Sequence, residues 1–163
     1  MKGKWVSGLA MLTALSVVGA MIKIPAIVGS VALDAFPALL AAVLFGAGAG
    51  ALVGAFGHLL SALIGGFPLG PMHFLIAVEM AVLVWVFGHM YKNNKILACV
   101  VFIIGNSLVA PLPFIYLMNL GFYLGIIPSL LIGSIINTVI AMVAIPRITS
   151  LVTHGLPNRD VKQ

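Results

Sequence analysis

Between Lys95 and Arg147 the chain carries no charged residue. A stretch of that length cannot coat a water-exposed surface, because a soluble domain makes roughly a quarter of its residues charged. The rest of the chain is similar: of 163 residues, 63% are hydrophobic and only 7% are charged, with a mean hydropathy of +1.26. Such a chain belongs in a bilayer. We expect an all-α integral membrane protein in which residues 1–163 form one transmembrane domain, with a polar tail from about 147 to 163.

Breakers divide the chain into six apolar segments. The first runs from about Trp5 to Ile22 and the second, a short one, from about Ala35 to Phe45. The third spans about Ala47 to Ile64, the fourth Met72 to Tyr91, the fifth Ile96 to about Val109 and the sixth about Leu124 to Ile145. The start imitates a signal peptide, but its apolar run exceeds the usual 7–15 residues and no convincing small-x-small cleavage site precedes Lys23, so it reads as a retained helix. "KIPAIVGSVALDAFP" reads as an irregular connection. "GGFPLGP" ends the third helix, since Gly permits non-helical backbone and Pro68 and Pro71 restrict it. Pro111 and Pro113 kink or end the fifth helix, and Pro146-Arg147 stops the sixth. The stretch from 110 to 124 is either the kinked end of helix five or a re-entrant loop, and irregular backbone at that depth must face protein or a cavity.

Six spans put both termini on one side. With that side cytoplasmic, Lys2, Lys4, Lys92, Lys95, Arg147, Arg159 and Lys162 all lie inside and only Lys23 lies outside, as the positive-inside rule requires. The connections after helices one and three then face outward. The net charge of +5 is explained by this placement, and no basic patch with interleaved aromatics points to nucleic acid. Cys99 is the lone cysteine and sits in an apolar run as a small hydrophobe.

The polar residues left inside the apolar segments are few. Gly46, Gly50, Gly54 and His58 recur at intervals of four, a row that lets helices approach closely in lipid. His58 closes it at the outer end, with Ser61 on the same side. His73 starts the fourth helix, Glu79 lies about 120° around from it and roughly 9 Å deeper, and Asp34 precedes the second helix. An ionisable group in a span is costly and faces an interior or a wet cavity. The plain alternatives are a capping role for Asp34 and a structural partner for Glu79. Two His and two carboxylates would also suit zinc, but no H-x-x-x-H lies on one helix face. A proton relay in a stand-alone carrier is possible in principle, yet no internal repeat is visible. Ser61 beside a histidine is no recognisable nucleophile, and no G-x-S-x-G occurs. A few polar groups in an apolar pocket suit small-molecule recognition. Asn106 and Asn137 either bond between helices or touch the ligand, and His89 is interfacial.

A six-helix chain with a short second helix resembles the substrate-binding S components of energy-coupling factor (ECF) vitamin transporters. The resemblance covers nearly the whole chain. It rests on Ala10 and Ala14, similar to the A-x-x-x-A patch that docks on the coupling subunit. It rests also on "KIPAIVGSVALDAFPALLAAVLFGAGAGALVG" and "GHLLSALIGGFPLGPMHFLIAVEMA", which look most like the CblT-like group assigned to α-ribazole, a cobalamin precursor. The resemblance implies an outward-facing pocket capped by the connections between helices 1–2, 3–4 and 5–6. It also implies toppling on a transmembrane coupling subunit and energy from two ATPase subunits. This chain has no G-x-x-x-x-G-K-[ST] of its own, so neither enzymatic activity nor a cofactor is expected. The ligand-binding candidates are Asp34, Phe36, His58, Phe67, His73, Glu79 and Asn119, with Phe74 also near the outer side. Other vitamins (cobalamin, pyridoxine, a thiamine precursor) are the alternative substrates. The expected location is the cytoplasmic membrane, multi-pass.

Overall fold

The computed structural model describes residues 2–25 and 30–154. Arg159, Lys162 and most of the polar tail used in the topology argument lie outside the described residues. The helices follow in order as α1 (Lys2–Met21), α2 (Phe36–Leu44), α3 (Ala47–Ile64), α4 (Met72–Tyr91), α5 (Lys95–Ile104), a short α6 (Phe114–Leu117) and α7 (Leu120–His154). The segment from α5 to the end of α6 forms a single span, so the expected six-helix bundle is present. Among the described residues, four spans are long and apolar enough to cross a membrane, and α1 adds a shorter apolar one.

The polarity of the bundle is that of a protein in lipid. Leu52, Phe56, Val78, Val82, Trp85 and Val100 point outward and are exposed, a surface that water would penalise and acyl chains do not. Several of the fully buried positions are small or polar instead, including Ser16, Ser107 and Ser134. The core centres on α2, whose Ala38, Leu39 and Ala41 are completely buried, and on Val84, Phe87 and Phe102 of α4 and α5.

Small residues permit this packing. A Cβ on Gly50 would lie 2.5 Å from Ala42 of α2, and one on Gly57 would lie 2.7 Å from Ser16 of α1. Gly50 is part of the predicted row. Gly46 is not a packing position: it precedes α3 with φ 101°, a turn conformation.

Three connections differ from expectation. The link after α1, read as irregular, contains a two-stranded antiparallel ribbon, β1 (Lys23–Pro25) and β2 (Ser30–Ala32), with Ile24 opposite Val31. The fifth helix ends near Val109 as expected, but its last turn is not α-helical. It widens into a π turn over Gly105–Val109, closed by Ala110 N–H donating to Gly105 O at 2.8 Å. The sixth helix is longer than predicted at both ends. It starts at Leu120 because Asn119 caps it, accepting from Phe122 N–H at 2.8 Å. Nor does it stop at Pro146. Pro146 removes one helical hydrogen bond, the one to the carbonyl four residues before it, and the helix runs on past it to His154; in the following turn Thr149 Oγ1 donates to Ile145 O at 2.8 Å.

Candidate ligand-binding cavity

Residues of the connections after α1, α3 and α5 line a cavity of about 450 Å³. The α4–α5 turn and the second half of α7 lie around a separate groove with Val43, Tyr91 and Lys95. A volume of this size falls in the ~300–1,000 Å³ range of small-molecule sites. All four predicted ionisable groups, Asp34, His58, His73 and Glu79, line the cavity.

The two histidines are joined. His58 Nε2 lies 3.1 Å from His73 Nδ1, with the ring centroids 5.2 Å apart. His73 is nearly enclosed, at 6% exposure, and its Nε2 accepts from the Leu69 backbone N–H at 3.3 Å. The α3–α4 connection brings these atoms together. Its first turn is a Schellman closure: Phe67 N–H donates to Ala62 O at 2.8 Å and Gly66 N–H to Leu63 O at 3.1 Å, with Gly66 left-handed at φ 84°. Phe67 follows with φ 55°, uncommon for a residue with a side chain. Its ring packs at a tilt against His73, with centroids 4.9 Å apart, and edge-on to Phe74 at 6.1 Å.

Asp34 lies just before α2. Loss of solvent by burial pushes its carboxyl from 3.8 up to about 6, partly offset by a backbone hydrogen bond. It does not cap α2. That role falls to Asn137 of α7, whose Oδ1 accepts from Ala35 N–H at 3.1 Å and Phe36 N–H at 2.9 Å. Its Nδ2 donates to Ala32 O and Gly133 O, both at 2.9 Å. Asn137 is thus fully committed to bonds across the bundle. Glu79 is half-buried in the wall and has no hydrogen-bond partner among the described residues.

Asn106 sits on the π turn and also lines the cavity. Ser134 spends its one proton on Leu130 O at 2.6 Å. It must therefore accept from Asn106 Nδ2 at 2.8 Å, which leaves Asn106 Oδ1 as an open acceptor. Ser61 is not available for chemistry, since its hydroxyl donates to Gly57 O at 2.7 Å.

Four predicted ligand contacts are not in the wall. Phe36 opens α2 and turns toward α1, where its ring edge is 3.5 Å from a Cβ built on Gly19. Phe67 stands behind His73 instead of in the cavity, and Phe74 points outward at 60% exposure. Asn119 is exposed and committed to the α7 cap. The aromatic wall comes instead from Phe114 and Phe122, with centroids 5.9 Å apart. Sequence reasoning missed both because they flank the α6–α7 break. The signal available was a pair of aromatics in a segment that had to face a cavity. Ala10 and Ala14 lie on the exposed face of α1, away from this site. His89 is exposed and donates from Nδ1 to Trp85 O at 2.9 Å, in keeping with an interfacial position. Among the described residues, no three His, Cys, Asp or Glu side chains converge as a metal site needs.

Residues 8–156 match the sequence profile of the family described as "ECF transporter, substrate-specific component". The chain belongs to that family. The fold agrees: a solved structure described as "Structure and mechanism of the S component of a bacterial ECF transporter" aligns with a TM-score of 0.76. It is 24% identical, and the alignment covers 93% of this chain and 99% of that one. No curated protein sequence matches the chain. S components are multi-pass membrane subunits that bind a small-molecule substrate for an ECF coupling module, and they are not enzymes.

Proposed function

We propose that this S component captures α-ribazole, or a closely similar nucleoside-like vitamin precursor, from the outer side of the cytoplasmic membrane. It then delivers the ligand by toppling on a coupling transmembrane subunit served by two ATPases. The observation that carries this reading is the composition of the cavity wall. It combines a pair of phenylalanines, two carboxyl groups, an open amide oxygen and a histidine pair, with no lysine or arginine among the described lining residues. An anionic vitamin would meet two carboxyls and no counter-charge, which disfavours it. A neutral aromatic base with a hydroxyl-bearing sugar suits the same wall: Phe114 and Phe122 pack on the base, and Asp34, Glu79 and Asn106 accept from hydroxyls. A cavity of about 450 Å³ also favours a nucleoside-sized molecule over intact cobalamin. The acidic wall supports a second reading, a cationic heteroaromatic such as a thiamine precursor.

Mass spectrometry of the small molecule that copurifies from the native membrane tests the proposal. α-Ribazole is the expected species. A copurifying thiamine-type cation would select the second reading, and an anionic vitamin would contradict both.

A further inference from the structure

We propose that His73 acts as a positioning residue that fixes the tautomer of His58, so that His58 presents Nδ1–H and the cavity selects ligands bearing a hydrogen-bond acceptor there. The identity of the occupant rests on the function proposed above; the relay itself does not.

Its direction follows from one bond. A backbone N–H can only donate, so the 3.3 Å contact from Leu69 N requires a lone pair on His73 Nε2. A neutral imidazole with a lone pair on Nε2 carries its proton on Nδ1. That Nδ1–H lies 3.1 Å from His58 Nε2, which must therefore accept. The proton of neutral His58 is then on its own Nδ1. An isolated imidazole prefers the opposite tautomer, so the relay imposes the rarer form.

His58 Nδ1 has no hydrogen-bond partner among the described residues. The only buried side-chain polar atom without a partner among those residues is Thr138 Oγ1, so His58 Nδ1 is accessible, and His58 lines the cavity. Asp34 and Glu79, the other titratable groups of the wall, bond to neither ring among the described residues.

The chemistry of the cavity is thereby divided. Asn106 Oδ1 and the carboxyls accept, whereas His58 is turned into a donor. The ligand atom that fits it is an sp² nitrogen or a carbonyl oxygen; the unsubstituted ring nitrogen of a benzimidazole nucleoside is one. The relay starts in the α3–α4 connection, at Leu69, and Phe67 holds the His73 ring at 4.9 Å. The tautomer of His58 therefore also reports whether that connection is seated.

Two measurements test this. Nitrogen-15 NMR of histidine-labelled protein in lipid nanodiscs reads the tautomers directly, with no ligand needed. The expected pattern is a protonated Nδ1 and bare Nε2 on both His58 and His73. In His73→Gln, whose amide can offer His58 either an oxygen or an N–H, the His58 signal should move toward the Nε2–H form. A wild-type His58 already in that form overturns the proposal. The second measurement is calorimetry with α-ribazole and with 5,6-dimethylindole riboside, which keeps the shape but lacks the acceptor nitrogen. The wild type should prefer α-ribazole by about tenfold, and the preference should shrink in His73→Gln. Equal affinity for the two compounds would refute acceptor selection. If neither compound binds, the ligand proposed above is wrong, and the NMR pattern decides the relay by itself.

Discussion

Asp34 is the residue whose chemistry the cavity perturbs in a way that can be measured. Burial raises its carboxyl to about 6, whereas in the unfolded chain it titrates near 3.9. The folded protein therefore holds this proton more tightly than the unfolded one. The stabilisation is fully present below about pH 4 and is lost as pH rises through 6. Asp34→Asn abolishes that dependence. The variant's stability relative to wild type should grow between pH 4 and 7, by up to about 3 kcal/mol. Thermal melts of both proteins without ligand across this range check it, and parallel pH profiles would contradict it. At this scale the sequence was informative about ionisable groups and poor about aromatics. A charge in a span needs a cavity wherever the backbone runs, so Asp34, His58, His73 and Glu79 could be picked without a structure. Whether a phenylalanine faces ligand, core or lipid depends on helix rotation. For that reason the cavity is lined by Phe114 and Phe122, which the sequence did not single out, and not by Phe36 or Phe67.

At the scale of elements, the cavity depends on how α7 holds α2. The N-terminus of α2 has no side-chain cap of its own, and Asn137 supplies one from 101 residues away. Asn137→Ala would leave the Ala35 and Phe36 N–H groups and the Ala32 carbonyl without these bonds in a site only 2% exposed. Each orphaned buried group costs about 1–3 kcal/mol. The expected loss of stability is about 2–4 kcal/mol after partial relaxation, with weaker ligand binding because Asp34 rides on the same turn. A melting temperature unchanged from wild type would argue against the cap. This pairing was not legible in the sequence, since an asparagine in a span bonds to a neighbouring helix without naming which. Helix spans were legible where breakers are unambiguous: α3 and α4 run Ala47–Ile64 and Met72–Tyr91 as read. They were not where Pro146 was taken as a stop, because in lipid a proline interrupts one bond and the helix can continue past it, as it also does past Pro128.

At the scale of the whole molecule, the cavity and the proposed docking face are separate. Ala10 and Ala14 are exposed on α1 and line no part of the cavity. Replacing both with tryptophan should bring ATP-dependent uptake down to background while ligand affinity stays within about threefold of wild type. Uptake by reconstituted vesicles and calorimetry on the isolated subunit separate the two effects. Intact uptake in the double variant would move the docking face elsewhere. The central claim is that this cavity holds a neutral nucleoside-like ligand, and calorimetric titration of α-ribazole into the purified S component tests it most directly. The account predicts binding at micromolar concentration or tighter, weakened at least about tenfold in His58→Ala. Absence of binding by the wild type, together with tight binding of an anionic vitamin, would contradict it.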